Sequence, residues 1–150
     1  MKRFFVASAF ALFCVGLASA QQDIVSARIA LMKANAKSVF GDLSKIVKGT
    51  RPYDQAVVDA ALAQLQDASS KIGSLYPPST KGRKAPNDEY SASVKIWDNK
   101  PDFESRGANL GKVVTDNKAK INDLDSLKAA YPSLEGACTG CHEVYRVKGQ

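Results

Sequence analysis

The sequence is poor in the side chains from which most metal sites are built. Its 150 residues include one histidine, three cysteines and two methionines. A structural zinc site needs four ligands, and the chain offers only Cys14 beyond Cys138, Cys141 and His142. Long apolar runs are also scarce, because no stretch after residue 20 is hydrophobic enough to cross a bilayer. The composition therefore argues against a structural zinc site and against a membrane span beyond the first 20 residues.

The first 20 residues have the organisation of a secretory signal peptide. Two basic residues precede a short apolar stretch, and Ala18-Ser19-Ala20 forms an A-x-A cleavage site. The apolar stretch is too short for a transmembrane helix. We therefore predict that residues 1–20 are removed on export, and that residues 21–150 form one domain in the periplasm without membrane insertion.

The strongest motif lies near the C-terminus, where Cys138-Thr139-Gly140-Cys141-His142 reads C-x-x-C-H. This is the attachment signature of a c-type haem. Thiols three residues apart on a helix face the same side, so both can reach the vinyl groups of one porphyrin while the adjacent imidazole points at the iron. A thioredoxin-like dithiol would open a helix after a strand, whereas this motif falls late in a helical segment. We predict one covalently bound haem c, with His142 as the proximal iron ligand.

Removal of the signal peptide also takes away Cys14 and Met1, which leaves Met32 as the only methionine. Histidine and methionine form a common axial pair in electron-transfer cytochromes. A methionine on the apolar stripe of a helix is otherwise ordinary core filler. We predict Met32 as the distal iron ligand, the alternative being a side chain that packs beside an open distal face.

Three further residues are candidates for contact with the haem. Arg28 precedes Met32 by one helical turn and Arg146 follows His142 by one turn, so either guanidinium is placed to pair with a haem propionate. The alternative is that both arginines are simply solvated. Trp97 is expected to fold inward and to pack on the haem or on the core.

Apolar residues recur at three- and four-residue steps in four segments, which predicts four helices. These span residues 22–48, residues 55–76, a segment that opens between 98 and 101 and reaches 121, and residues 124–147. Gly49 is expected to end the first helix, and Asp54 to cap the start of the second. Pro132 predicts a kink or a restart within the fourth helix.

The connection between the second and third helices, residues 77–100, is rich in Pro, Ser, Lys, Gly and Asn. It is long for a helix connection, which usually has about 2 to 8 residues. The other two connections are short. The pattern predicts an all-α, antiparallel four-helix bundle whose middle connection is either a crossing loop or a flap beside the haem.

Essentially the whole mature chain resembles the class II cytochromes c, meaning cytochrome c prime and its low-spin relatives. The resemblance rests on the C-terminal C-x-x-C-H with Glu143-Val144-Tyr145-Arg146 after it, and on three other segments. These are residues 48–54, Lys95-Ile96-Trp97 and Leu127-Lys128-Ala129-Ala130. The late position of the motif matters because most class I cytochromes c carry it near the N-terminus.

The resemblance implies one of two distal sites. Cytochrome c prime leaves the iron five-coordinate beneath an apolar residue of the first helix, and it binds nitric oxide or carbon monoxide. The low-spin relatives use a methionine of the first helix as the sixth ligand and are thought to carry electrons. Leu31-Met32-Lys33 followed by Asn35 is similar to the low-spin pattern, whereas Arg28 is similar to an arginine of cytochrome c prime.

We therefore expect an electron carrier rather than an enzyme, with a gas-binding cytochrome c prime as the alternative. A peroxidase or a nitric oxide reductase would need a polar acid–base group at the distal face, and the region around Met32 offers no histidine. Without the signal peptide the chain has 19 basic and 15 acidic residues, interspersed along its length. This charge of +4 predicts no nucleic-acid binding and slightly favours acidic redox partner proteins. The chain is expected to be a monomer or a homodimer.

Overall fold

The structure, a computed structural model, describes residues 23–84 and 90–148. The predicted signal peptide and its cleavage site lie outside the described residues, so their removal stays a prediction. Within the described ranges the chain is mostly helical. No helix in these ranges has both the length and the apolar character that a membrane crossing requires.

The first helix, α1, is continuous but changes its winding. Residues 23–36 are α-helical, Lys37–Leu43 form π-helical turns, and Ser44–Val47 return to α-helix. A π-helical turn holds an extra residue, so it rotates the following side chains off the 3.6-residue stripe. Val39 is accordingly buried in the aliphatic core, whereas the neighbouring Phe40 does not belong to that core. Gly49, with a φ of 73°, follows the helix as predicted.

The second helix, α2, spans Gln55–Lys71 and continues as a short 3-10 turn, Ile72–Leu75. Asp54 caps its start as predicted. The Asp54 carboxylate accepts hydrogen bonds from the backbone N–H groups of Ala56 at 2.9 Å and Val57 at 3.3 Å. These are two of the amide groups that the first turn of a helix leaves without a helical partner.

The middle connection carries more structure than the sequence predicted. It contains a 3-10 turn at Pro78–Thr80, a three-residue strand, β1 (Tyr90–Ala92), and a one-turn helix, α3 (Lys95–Asp98). Strand β1 pairs antiparallel with β2 (Arg146–Lys148), so that Ser91 lies opposite Val147. Strands this short are stable only through their distant partner, and a local sequence pattern does not reveal them.

The third long helix, α4, spans Lys100–Lys118, and the fourth, α5, spans Leu124–Tyr145. Asp123 and Ser126 form a capping box at the start of α5. The Ser126 N–H donates to the Asp123 carboxylate at 2.8 Å, and the Asp123 N–H donates to the Ser126 hydroxyl at 3.1 Å. The chain therefore turns sharply between α4 and α5 with its amide groups satisfied.

Helix α5 runs without interruption through Pro132, so the predicted restart there is wrong. Pro132 is exposed, whereas Tyr131 and Leu134 on either side are buried in the core. Packing of these two side chains keeps the chain helical through Pro132 despite the missing amide proton, and the predicted kink stays a prediction. The helix ends two residues before the predicted position 147, because the chain there becomes strand β2.

The four long helices close into a ring in which α1 packs on α2, α2 on α4, α4 on α5, and α5 on α1. Short turns make α1 antiparallel to α2 and α4 antiparallel to α5. The sequence prediction of an all-α four-helix bundle is therefore confirmed. The aliphatic core of the bundle includes Val39, Leu43, Ile46, Leu62, Leu65, Val114, Leu127 and Leu134.

A second cluster of buried side chains lies at the opposite end of the bundle, which we call the motif end because it contains the C-x-x-C-H residues. The cluster consists of Ile72, Tyr76, Ile96, Phe103 and Tyr145, with Met32, Trp97 and Cys141 packed against it. Helices α2 and α4 approach closely here, since a Cβ atom added to Gly107 would lie 2.6 Å from Cγ2 of Ile72. The second cluster forms the base of the candidate site.

Candidate functional site

A cavity of about 360 Å³ opens at the motif end of the bundle. Its wall is formed by α1, α4, α5, the segment that follows α2 and strand β1. The lining residues include Arg28, Met32, Asn35, Phe40, Ile72, Tyr76, Tyr90, Ala92, Phe103, Arg106, Leu110, Cys138, Cys141, His142 and Arg146. A concave, mostly apolar site with a few convergent polar groups is the usual form of a cofactor pocket.

Helix α5 supplies the C-x-x-C-H residues to one wall of this cavity. Cys138 and Cys141 are both free thiols and both half-buried. Burial raises the pKa of Cys138 to about 11, with a further contribution from Cys141, and burial also raises the pKa of Cys141. The two thiols therefore face the same cavity as neutral groups, one helical turn apart, as the spacing predicted.

His142 lines the same wall, next to Cys141. Burial lowers the pKa of its imidazole, and the positive charge of Arg146 lowers it further. The ring is therefore neutral at pH 7, which is the form that binds a metal ion through a nitrogen lone pair.

Met32 lines the cavity from α1 and is half-buried. The structure thus brings the two predicted axial ligands, His142 and Met32, to one cavity from two different helices. The packing of Met32 against the motif-end cluster is also what an ordinary core methionine would show. Its coordination of iron stays a prediction.

Arg28 lies beside Met32 on α1 but is almost fully buried, at 4% exposure. Its guanidinium donates to the backbone carbonyl of Arg83 at 3.0 Å and to the Thr80 hydroxyl at 3.5 Å. It also lies over the ring of Tyr76, 5.1 Å from the centroid. Burial lowers the pKa of Arg28 below its ordinary value. The predicted propionate contact stays a prediction, and the observed contacts tie α1 to the middle connection.

Arg146 is exposed at the rim of the cavity and is the first residue of β2. Its guanidinium lies over the Tyr90 ring of β1. The strand pair therefore brings the middle connection against the cavity, where Tyr90, Ser91 and Ala92 form part of the wall. Of the two predicted forms of the connection, a flap beside the site describes it better.

Trp97 packs against the motif-end cluster and is not among the residues that line the cavity. Its indole N–H donates to the carbonyl of Pro77 at 2.9 Å, and its ring centroid is 6.1 Å from that of Tyr76. Of its two predicted roles, the structure shows packing in the core. Direct contact with a haem stays a prediction.

Sequence analysis missed Arg106, which lines the cavity from α4. Arg106 pairs with Asp102 one turn earlier, with 2.8 Å between Nε and the carboxylate. The i,i+4 spacing of the two residues was visible in the sequence, but such pairs are common on solvated helix faces. Only the fold shows that this pair faces α5.

The residues around the cavity fit a haem c. The two thiols and the neutral imidazole of α5 share one wall, apolar side chains form much of the rest, and the thioether of Met32 faces the same space. Cys138 and Cys141 would hold the porphyrin by thioether bonds and His142 would bind the iron. Arginines that line the cavity would supply positive charge for the propionates.

Comparison with known proteins agrees with this fit. A family profile described as Cytochrome C' matches residues 23–146. Cytochrome c-556 of Rhodopseudomonas palustris is 43% identical over 129 residues, which cover 86% of both chains. Cytochrome c-555 of Bradyrhizobium diazoefficiens is 38% identical over 148 residues, which cover 99% of both. The structure of cytochrome c' from Rhodopseudomonas palustris superposes with a TM-score of 0.76 at 31% identity, covering 85% of this chain and 98% of that one.

The match to the family profile spans all four long helices and the C-x-x-C-H motif. Covalent haem c with its iron follows from family membership together with the presence of Cys138 and Cys141. The resemblance read from the sequence is therefore confirmed: this chain belongs to the cytochrome c' family, the class II cytochromes c, and is a haem c protein.

Proposed function

We propose that this protein is a periplasmic one-electron carrier whose haem iron is bound by His142 and Met32. The observation that carries the proposal is the position of Met32, whose side chain lines the cavity that also contains His142. Met32 is the only methionine beyond the signal peptide, and the chain has no second histidine. The thioether is thus the one strong neutral ligand available to the distal face.

Bound haem c supplies a one-electron ferric/ferrous couple. The protein's own residues keep the surroundings of that couple apolar and fixed. Ile72, Phe103 and Tyr76 form the buried base of the cavity, with Phe103 in edge contact with Tyr76 at 4.8 Å between centroids. Rigid ligands on two packed helices keep the geometry alike in both oxidation states, which favours rapid electron transfer without substrate conversion.

A second candidate function is gas binding by a five-coordinate haem. The likeness to cytochrome c' of Rhodopseudomonas palustris, at a TM-score of 0.76, favours it. In that case Met32 would be a packing residue and the distal face would admit nitric oxide or carbon monoxide. The two functions differ in one bond, so they can be separated by one spectrum.

The test is the absorption spectrum of the reduced holoprotein with and without carbon monoxide. Electron transfer with Met32 ligation predicts a low-spin spectrum that the gas leaves unchanged. Met32→Leu keeps the volume of the side chain and removes the sulfur, so it should give a high-spin spectrum and a carbon monoxide adduct. Leu31→Ala is the control, because it alters the neighbouring apolar residue and should leave the parent spectrum intact.

A ready carbon monoxide adduct in the parent protein, or a Met32→Leu variant with the parent spectrum, would reject Met32 as the ligand.

The redox partner is proposed to be an acidic protein, because Arg146 and Lys148 are exposed near His142 at the rim. Its reaction rate with this cytochrome should then fall as salt is added.

A further inference from the structure

Arg106 on α4 contacts the backbone of the haem-attachment motif directly. Its Nη1 donates to the carbonyl oxygen of Gly140, between the two cysteines, at 2.7 Å. Its Nε donates to the Asp102 carboxylate at 2.8 Å. One guanidinium therefore joins a carboxylate of its own helix to the motif on α5.

A second contact ties α5 to the same carboxylate. The Tyr145 hydroxyl donates to Asp102, on the oxygen that also accepts from Arg106. The guanidinium carbon of Arg106 lies 5.7 Å from the centroid of the Tyr145 ring, and Phe103 packs edge-on against that ring at 5.3 Å. Helix α5 is thus held at Gly140 and at Tyr145, on both sides of Cys141 and His142.

We propose that Arg106 is a positioning residue that fixes the haem-attachment turn, residues 138–142, against α4 and keeps a positive charge beside Cys141. The inference needs only an attached haem c and holds for either distal ligand, so it is independent of the role proposed for Met32. Gly140 and Asp102 are reached at once because a guanidinium presents several N–H donors in a fixed plane. A lysine ammonium is a single point of charge and serves both acceptors poorly.

The charge of Arg106 has a separate consequence. A positive group near the haem stabilises the ferrous state relative to the ferric state, since the ferrous state carries one positive charge fewer. Arg106 therefore raises the reduction potential, and Asp102 offsets part of that effect. Both side chains are more than one-third exposed, so solvent weakens the charge effect more than it weakens the geometric one.

Three variants of the full chain separate these effects. Arg106→Gln removes both the positive charge and the planar set of guanidinium N–H donors. Arg106→Lys keeps the charge but not that donor set, and Lys112→Gln is a matched control. Lys112 is exposed on the same helix and forms an i,i+4 pair with Asp116, but it does not line the cavity. Each variant is expressed in a host that attaches c-type haem, and the haem-bearing fraction is measured by intact mass.

For Arg106→Gln we expect a haem-bearing fraction lower by about three-fold, and amide exchange in residues 138–145 of the holoprotein faster by about ten-fold. Its reduction potential should be lower than that of the parent. Arg106→Lys should retain the parent potential but show the impaired attachment and the faster exchange. Lys112→Gln should match the parent in all three measurements.

Normal attachment and exchange in Arg106→Gln would overturn the positioning role. Normal haem attachment in Arg106→Lys would overturn the claim that the planar guanidinium donors are needed. An equal defect in Lys112→Gln would show a general charge effect instead. Amide exchange at residues 58–65 of α2, a helix that does not contain the motif, shows whether a variant is folded. A uniform rise there would also count against a local role.

Discussion

The guanidinium carbon of Arg146 lies 4.3 Å from the centroid of the Tyr90 ring, across the two-stranded sheet that joins the middle connection to the C-terminus. A cation this close to a ring face gains electrostatic energy from it. The contact holds β1 beside the cavity, where Tyr90 itself is part of the wall.

Tyr90→Ala should therefore loosen the strand pair. We expect the free energy of unfolding to fall by about 1 kcal/mol, which is the size of an exposed cation–π contact together with its packing. Urea unfolding of the holoprotein measures this change. Tyr90→Phe keeps the ring face and should match the parent protein, and equal stability of Tyr90→Ala and Tyr90→Phe would contradict the prediction.

Gly107 of α4 lies close to the 3-10 turn that continues α2. A methyl group added there would meet Cγ2 of Ile72 at 2.6 Å, which is too short for two carbon atoms. Gly107→Ala should destabilise the protein by about 1–3 kcal/mol, the usual cost of overpacking. Thermal unfolding of the holoprotein checks the sign and the size.

Two comparisons separate crowding from other effects of this substitution. Gly136→Ala on the exposed face of α5 meets no atom within 4 Å and should stabilise the helix by about 0.5–1 kcal/mol. Ile72→Leu moves the branch away from Cβ, so Gly107→Ala should cost less in that background. A Gly107→Ala variant as stable as the parent would show that α2 and α4 separate easily.

Local signals predicted the bundle, because they repeat along the chain. The cap at Asp54, the stop at Gly49 and the C-x-x-C-H motif each depend on residues within a few positions of one another. The hydrogen bond from Arg106 to the Gly140 carbonyl depends instead on how α4 packs on α5, so no local pattern reveals it. Phe40 lines the cavity and does not pack in the aliphatic core, and this position too depends on the π-helical turns, which change the period of the helix.

Asp42 lies in those π-helical turns and binds two cations. One carboxylate oxygen accepts from Lys37 at 2.7 Å, and the other accepts from Arg51 at 3.0 Å, beyond the end of α1. The hydrogen bond from Lys37 is the main reason why the pKa of Asp42 lies below its ordinary value. The ion pairs of Asp42 with Lys37 and Arg51 therefore stabilise the folded state at neutral pH.

Since the pKa is lower in the folded than in the unfolded state, this stabilisation is complete above the unfolded pKa of about 4 and is lost as the pH falls through the folded pKa. Asp42→Asn should lower the stability at pH 7 by about 0.5 kcal/mol and flatten its decline toward acid pH. Urea unfolding from pH 7 to pH 3 measures both. If the parent and Asp42→Asn curves run parallel over this range, the pair does not act as described.

Arg28 should hold the middle connection in place through its bonds to Thr80 and to the Arg83 carbonyl. Arg28→Met keeps the length of the stem but removes every donor, leaving a carbonyl without its charged partner. We expect a loss of about 1–3 kcal/mol in stability and faster trypsin cleavage after Lys81 and Arg83. Time-resolved mass spectrometry of the digest identifies the cut sites.

The exposed Lys95 is the control, because Lys95→Met removes a cation from the same connection without breaking a buried contact. It should be cleaved at the parent rate. Arg28→Lys should give an intermediate rate, since an ammonium can reach one acceptor but does not reproduce the planar contact with Tyr76. Equal cleavage of the Arg28→Met and parent proteins would mean that Pro78–Thr80 and the strand pair hold the connection without Arg28.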